Sequence, residues 1–588
     1  QWVTLTATAA ELWRADYTYV EENHVRRVEK RTTALGEGNV RLEVKESWLG
    51  TAPNVYARGR LKMKQGMDGI QTHYFYEETD QYGALYKVTA ETRIAGESVP
   101  GLSSRKVTYV SGQGNNMRYE QYARLADGAW SMTDASSYEY DVENRWVKRT
   151  RANGRVYERM MTCCGPLWER DENGVTTSYS YNTARQLVET IRSAVADGET
   201  MITPETITSY TRDALGKITS LRRDAGPMTT VESREYDLLG RLIRETDILG
   251  RTTVRSYSGD GLVETVTTPA GATLITRKSP SGAVVRRYGT GQQDILYTVE
   301  ATAEGIRTTE AVPGGEGGAP RVVTGSSTVN GFGDLVRIAA ANTLNGENVR
   351  TLAYDDKGRL IREQLADMAP TLYAYDAFGN RTRAIVALED EPTILNSRIT
   401  DYAYVAESRE DGIYRLVSIT SYTSSGTPVL QKRAALLSAL SSVLAGKTVM
   451  TDPLGHDTVE WTEYGGGSVR LQKKTVPGVG SVALTRVVDG FTTAVTGFDG
   501  ATARRQRTYT ETGITYADTD VRGNVFTAVC DIAGRIISGT DAAGNTTTYA
   551  YAQPFDLPTC VTNALGKTAC SVYDIRGRKE AEWGTAIQ

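Results

Sequence analysis

Tyr236-Asp237-Leu238-Leu239-Gly240-Arg241 runs on through Leu242-Ile243-Arg244-Glu245-Thr246 to Asp247-Ile248-Leu249-Gly250-Arg251. The reading of this stretch decides the fold. Asp opens a turn by accepting a hydrogen bond from its own downstream backbone. Two ordinary residues follow, and Gly then supplies the positive φ that a bulged hairpin requires. The residues between the two turns fit one short strand. The next turn begins 10 residues after the first, and beyond it Arg251-Thr252-Thr253-Val254-Arg255-Ser256-Tyr257 is again strand-like.

The same punctuation recurs along the chain. Tyr354-Asp355-Asp356-Lys357-Gly358-Arg359, Tyr375-Asp376-Ala377-Phe378-Gly379-Asn380 and Tyr573-Asp574-Ile575-Arg576-Gly577-Arg578 are the clearest copies. Asp213 to Gly216, Asp452 to Gly455, Asp520 to Gly523, Asp531 to Gly534 and Asp541 to Gly544 lack the Tyr. Tyr140 to Arg145 and Asp171 to Gly174 are more degraded, with Asn144 as the tolerable substitute for Gly. Asp520 to Asp531 is 11 residues and Asp355 to Asp376 is 21, one and two strand-plus-turn units. Internal repetition at a fixed period outranks any single motif. The structural turn residues predicted are therefore Asp237, Gly240, Asp355, Gly358, Asp376, Gly379, Asp531, Gly534, Asp574 and Gly577.

A 21-residue hairpin unit divides the 588 residues into about 28 hairpins, a ribbon of about 56 strands. So wide a sheet curls. Arg241-Leu242-Ile243-Arg244-Glu245-Thr246 mixes chemistry on both faces, which suits a single-layer wall better than a sandwich. The predicted fold class is all-β, a long spiralling antiparallel β-hairpin repeat sheet forming a hollow shell or barrel. Residues 1–140 read as degenerate repeats and 141–588 as one continuous repeat array. Residues 313–320, Gly-rich between two prolines, read as an irregular insertion. Residues 431–446 carry Leu436, Leu437, Leu440, Val443 and Leu444, which suit either a short helix or a strand and a turn.

Composition narrows the function. Hydrophobic residues are 40%, charged residues 23% and net charge is −4, so neither disorder nor a field for nucleic acid is expected. No segment is long and apolar enough for a membrane-spanning helix, and no leader of the secretory kind is visible. The chain starts without Met and stops directly after a repeat, which reads as a piece of a longer polypeptide. His24, His73 and His456 are isolated from one another, and the five Cys form no zinc pattern. No calcium loop, phosphate cradle or nucleophile elbow appears, so no catalytic residue, cofactor or metal is assigned. The Gly runs at 314–318 and 465–467 read as flexible loops. The glycosylation-like Asn380-Arg381-Thr382 and Asn545-Thr546-Thr547 read as products of the repeat. Cys560 and Cys570 flank the turn Asn563 to Gly566 and are the candidate disulfide, given close Cα atoms and an oxidising compartment. Cys163 and Cys164 read as reduced, buried thiols. The 33 Tyr read as ties between neighbouring hairpins rather than stacking sites for sugars or bases.

The repeated Tyr-Asp-x-x-Gly-Arg copies at 236–241, 354–359, 375–380 and 573–578 resemble the Rhs/YD-repeat family. The resemblance runs from about Asp141 to Arg578. It implies a large spiralling β-shell. In bacterial members such a shell encloses a C-terminal toxin or forms the cocoon of an insecticidal toxin complex, and in the teneurins a similar barrel serves adhesion. The implied role is a non-catalytic, secreted or cell-surface shell, with an extracellular adhesin or filament as the alternative and a polysaccharide-active enzyme as a third reading. The implied partners are the chain's own C-terminal effector or other protein cargo, or a cell-surface protein or glycan. Toxin-type members carry an aspartyl self-cleavage segment. Asp452-Pro453-Leu454-Gly455 echoes its Asp-Pro chemistry but has the spacing of an ordinary repeat turn.

Overall fold

The computed structural model describes all residues except 1–3, 6–9, 12, 35–39, 314–321, 343–345, 367, 388–392, 394–395, 424, 440–442, 553 and 586–588. The described residues contain fifty β-strands, a single 3-10 turn at Gln81–Gly83 and no α-helix. Forty-six strands lie in antiparallel ladders, each with strands next to it in sequence. Thr206–Arg212 pairs with Ile218–Ala225, that strand with Met228–Tyr236, and that one with Leu242–Thr246. The expected string of hairpins is thus the fold. Residues 314–321, which hold most of the expected insertion and one of the Gly runs, lie outside the described residues.

The described residues of the Leu-rich segment at 431–446 take the strand reading, and Leu440 lies outside them. Pro428–Ala439 is a strand laddered on Gly412–Tyr422, and Leu444–Thr451 is the next strand. Leu436 packs on Tyr414, Ala434 and Val449, whereas Leu437 and Val443 are exposed. Tertiary pairing overrides a helical spacing this short.

The chain forms two compact units, each built from two separated segments. One comprises 1–155 and 297–461, the other 156–296 and 462–588. The sequence-based division at 140/141 marks where the repeat becomes legible. It falls inside the first unit.

In the first unit the long strands Ser397–Arg409, Gly412–Tyr422 and Pro428–Ala439 form a meander. Its second segment meets the first where Leu125 packs with Ala406 and Ile413, and the Ala126 N–H donates to the Ala406 carbonyl at 3.1 Å. In the second unit the two segments meet at a small side hairpin, Val195–Asp197 with Thr200–Thr203, which branches off the main ladder. Its Val195 and Ile202 pack with Val175, Val469 and Val488, and Leu471 and Phe491 close the cluster. Two of the apolar cores therefore lie at seams between distant segments of one unit.

Away from the seams, both faces of many strands are half-buried. Trp146–Arg151, Leu187–Arg192 and Val263–Thr267 show no alternation between a buried and an exposed face. A sheet packed on one face only would alternate. Long Arg, Glu, Tyr and Thr side chains lie over the ladder and cover it from either side.

Candidate functional site

The repeated turn is the most highly built feature of the chain. In the turn that opens at Asp237, the Gly240 N–H donates to the Asp237 carbonyl and the Asp237 N–H to the Arg241 carbonyl, both at 2.9 Å. Gly240 has φ of +74°, so the backbone is a type I turn closed by a glycine bulge. One Asp237 carboxylate oxygen accepts the N–H groups of Leu239 and Arg241, each at 2.9 Å. The other accepts Arg241 Nε at 2.8 Å. The Arg241 backbone N–H and then its guanidinium hold the Asp237 carboxyl below its ordinary pKa despite some burial.

The same bonds recur at the other predicted turns. Arg359 Nε reaches Asp355 at 2.7 Å, Arg535 reaches Asp531 at 2.8 Å and Arg578 reaches Asp574 at 2.7 Å. In the turn at Asp376, Asn380 Nδ2 replaces the guanidinium at 2.9 Å. Gly358, Gly379, Gly534 and Gly577 have φ between +76° and +80°.

Tyr and Arg connect each turn to an earlier one. The Tyr375 hydroxyl donates to the Leu360 carbonyl at 2.8 Å, the residue just past Arg359. Tyr257 reaches Leu242, just past Arg241, at 3.1 Å, and Tyr551 reaches Ile536, just past Arg535, at 2.8 Å. The guanidinium of each earlier turn lies over the ring of that Tyr: Arg241 on Tyr257 at 4.3 Å, Arg359 on Tyr375 at 5.1 Å and Arg535 on Tyr551 at 4.5 Å. These three motifs thus each accept a tyrosine hydroxyl on their own backbone and cover that ring with their own arginine. Cation–π contact and hydroxyl bond hold turn to turn along one sheet edge.

The sequence reading found the Asp and Gly of these turns and the tying role of Tyr. It read Arg, with Tyr, as a cross-strand partner but did not place it on its own turn's Asp, the double engagement that explains its place in the motif. It also missed turns opened by a hydroxyl. Ser258 to Gly261, Thr268 to Gly271 and Ser279 to Gly282 have the same carbonyl-to-Gly bond at 2.9 Å, and they continue the 10- and 11-residue beat from Asp247. The signal was the Gly spacing; Ser and Thr mimic Asp more weakly. Arg185, at φ of +61°, fills a Gly position in the turn from Asn182.

The seams also hold polar contacts between distant residues. In the first unit Arg41 pairs with Asp334 and stacks on Phe332 at 4.0 Å. In the second, Arg486 clasps Asp197 through two bonds of 2.8 and 2.5 Å. Asp489 accepts Arg192 at 2.6 Å and Thr203 Oγ1 at 2.7 Å. Arg507 donates to the Ile202 carbonyl and to Thr203 Oγ1, each at 2.7 Å. The bond from Arg486 holds the Asp197 carboxyl below its usual range. Burial works against ionisation of Asp489, and Thr203 with Arg192 overcomes it, so this pKa is also lowered.

The other candidates stay apart. His24 Nδ1 lies 3.0 Å from Thr51 Oγ1, His73 Nε2 lies 3.0 Å from Gln71, and His456 Nδ1 lies 3.2 Å from Asp452. The Asp452 turn has the ordinary repeat geometry, with His456 in the Arg position and Gly455 at φ of +85°. Gly465 to Gly467 is an ordered turn, its Gly465 N–H donating to Val469 at 2.8 Å. Asn380 and Asn545 each donate Nδ2 to their turn Asp at 2.9 Å. Cys560 is bonded to Cys570, with Cα atoms 4.0 Å apart on paired strands. Cys163 is exposed and Cys164 half-buried, contrary to the expectation of buried thiols, because both sit at a hairpin tip. Among the described residues, no group of three or more His, Cys, Asp or Glu is placed to hold a metal ion. No helix among them is long and apolar enough to cross a membrane.

Comparison with known proteins gives one family match and several distant structural ones. The crystal structure of TcdB2-TccC3 aligns with 10% identity and a TM-score of 0.29, over 92% of this chain and 37% of that one. TcdB2-TccC3 without its hypervariable C-terminal region aligns at 12% identity and a TM-score of 0.25, over 95% of this chain and 35% of that one. A Photorhabdus luminescens Tc holotoxin pore aligns at 11% identity and a TM-score of 0.23, over 92% and 35%. This chain thus spans little more than a third of the length of those chains. None of the curated proteins compared matches it. The RHS Repeat family model matches residues 236–273. That span, matched by the RHS Repeat model, holds the turns at Asp237, Asp247, Ser258 and Thr268 with the strands between them.

Proposed function

We propose that this chain is a non-catalytic structural protein, a YD-repeat wall that curls into a hollow shell. The shell is secreted or held at a cell surface and encloses or presents a protein cargo, such as an effector carried on its own C-terminal side. The observation that carries this reading is the single-layer character of the ladder, with half-buried residues on both faces of strands such as Leu187–Arg192 and Val263–Thr267. A sheet with two wet faces has no need of a second layer. It is held by ladder bonds and by the Asp–Arg–Tyr clamps along its edge. Such a wall screens a cargo from solvent and proteases without any catalytic group.

Electron cryo-microscopy of the intact chain tests the proposal. Closed particles around an internal void are expected. Solid particles would overturn it, and regular end-to-end polymers would make the chain a filament or adhesin instead.

A further inference from the structure

The hairpin between Val156–Met161 and Pro166–Arg170 turns at Thr162-Cys163-Cys164-Gly165. The Thr162 N–H and hydroxyl both donate to the Gly165 carbonyl, at 2.7 and 2.8 Å, and the Cys164 N–H donates to Thr162 Oγ1 at 3.2 Å. Adjacent residues of an extended strand point to opposite faces. Here the tight tip brings the two sulfurs to the same side, 2.9 Å apart.

Gly165 is required for this. Its φ is +153°, and a Cβ there would collide with the Tyr181 hydroxyl. That hydroxyl is in place because it donates to the Pro166 carbonyl at 3.1 Å, the same clamp that ties the repeat turns. The tip is therefore fixed from outside, with the thiol pair at its apex. Cys163 is exposed, whereas Cys164 is half-buried.

We propose that Cys163 and Cys164 are a redox modification site, which a small disulfide oxidant converts to a vicinal disulfide. The Cys163 thiolate attacks one sulfur of the oxidant. A mixed disulfide forms at Cys163 and the first half of the oxidant leaves as a thiolate. Cys164 then gives up its proton, and its sulfur attacks Cys163 and expels the second half. The oxidant is reduced to two thiols as the two cysteines are oxidised. The order follows from access, since Cys163 is the more open of the two to an incoming molecule. The contact with Cys163, and then burial, raise the Cys164 pKa, which suits a thiol that reacts second, within the pair. A bonded S–S distance is about 2 Å, so closing the ring needs a movement of about 1 Å. Tetrahedral zinc needs four donors, whereas the cysteines supply two and no larger His, Cys, Asp or Glu cluster exists among the described residues.

The test uses the full chain and oxidised glutathione, followed by alkylation and peptide mass analysis without reduction. The peptide holding both cysteines is expected to lose two hydrogens and its capacity for alkylation, and dithiothreitol should restore both. Buried Cys530 is the internal reference and stays a free thiol. Cys164→Ser should stop at a glutathione adduct on Cys163, whereas Cys163→Ser should give little adduct on Cys164. A far-ultraviolet circular dichroism spectrum matching that of the wild type, with Cys530 still closed to alkylation, shows that each variant is folded. The proposal is overturned if the wild-type chain accumulates the Cys163 adduct, links through Cys163 to a second chain, or leaves both thiols open to alkylation.

Discussion

Asp489 allows the seam of the second unit to be taken apart one contribution at a time. It sits with Gly490 in the two-residue turn between Val488 and Phe491, at φ of +48°. Its carboxylate accepts Arg192 and Thr203 from the other segment, and its side chain is only 19% exposed. Hydrogen bonds to charged groups contribute about 1.5–3 kcal/mol each. Arg192 is one-third exposed, so the two together are worth about 3 kcal/mol after allowance for solvent. Asp489→Ala loses both bonds and leaves a non-glycine residue in the left-handed region. Asp489→Gly loses the same bonds but relieves about 1 kcal/mol of backbone cost. Asp489→Asn keeps the turn, because Asn-Gly suits it as well as Asp-Gly, and loses only the charge, at about 1.5 kcal/mol.

The readout is amide hydrogen exchange in the side hairpin Val195–Asp197 and Thr200–Thr203, whose opening reports the seam directly. Since 1.4 kcal/mol is tenfold, the Ala variant should exchange there about a hundredfold faster than wild type, with Gly between Ala and Asn. Equal exchange in the Ala and Gly variants would refute the backbone part of the reasoning. An Asn variant as labile as Ala would refute the electrostatic part.

Acid should open the same seam. Asp197 and Asp489 have folded-state pKa values below their unfolded ones, so their stabilisation is complete above about pH 4 and fades as pH falls through the folded values. Protection of the side-hairpin amides against exchange should fall below about pH 4 in wild type, and less so in Asp489→Asn. Tyr375→Phe keeps the ring under Arg359 but removes the bond to Leu360, and a loss of about 1 kcal/mol is expected in denaturant unfolding. An Arg359→Met change on top of it should cost less than the same change in wild type if the two contacts form one clamp. Gly379→Ala meets open space at φ of +79°, so its cost of about 1 kcal/mol is purely conformational, and Gly379→Asn should cost less in the same assay.

The turns were legible because their chemistry is local. Asp237 to Gly240 needs only its own five-residue ring of bonds, and that ring is written in consecutive letters. Ser258 and Thr268 were harder to read, since a hydroxyl opening a turn is also an ordinary strand residue. The seams were illegible for a different reason. Asp197 and Arg486, or Asp489 and Thr203, are nearly three hundred residues apart, and no periodicity marks either partner. The apolar run at Leu436 stayed open between the two readings because spacing alone cannot tell a strand from a helix. The thiols of Cys163 and Cys164 looked inert in the sequence, and only the hairpin tip gives them access to solvent.

Because these tyrosines reach back only to the preceding motif on the same sheet edge, the array grows by modules rather than by redesign. Splicing in a whole 21-residue unit between Asp355 and Asp376 would hand the Tyr375 hydroxyl a new acceptor equivalent to Leu360 and leave no clamp unmatched. A lineage of such chains can therefore lengthen or shorten by integers at small cost, while half a unit would present every later tyrosine to the wrong rim.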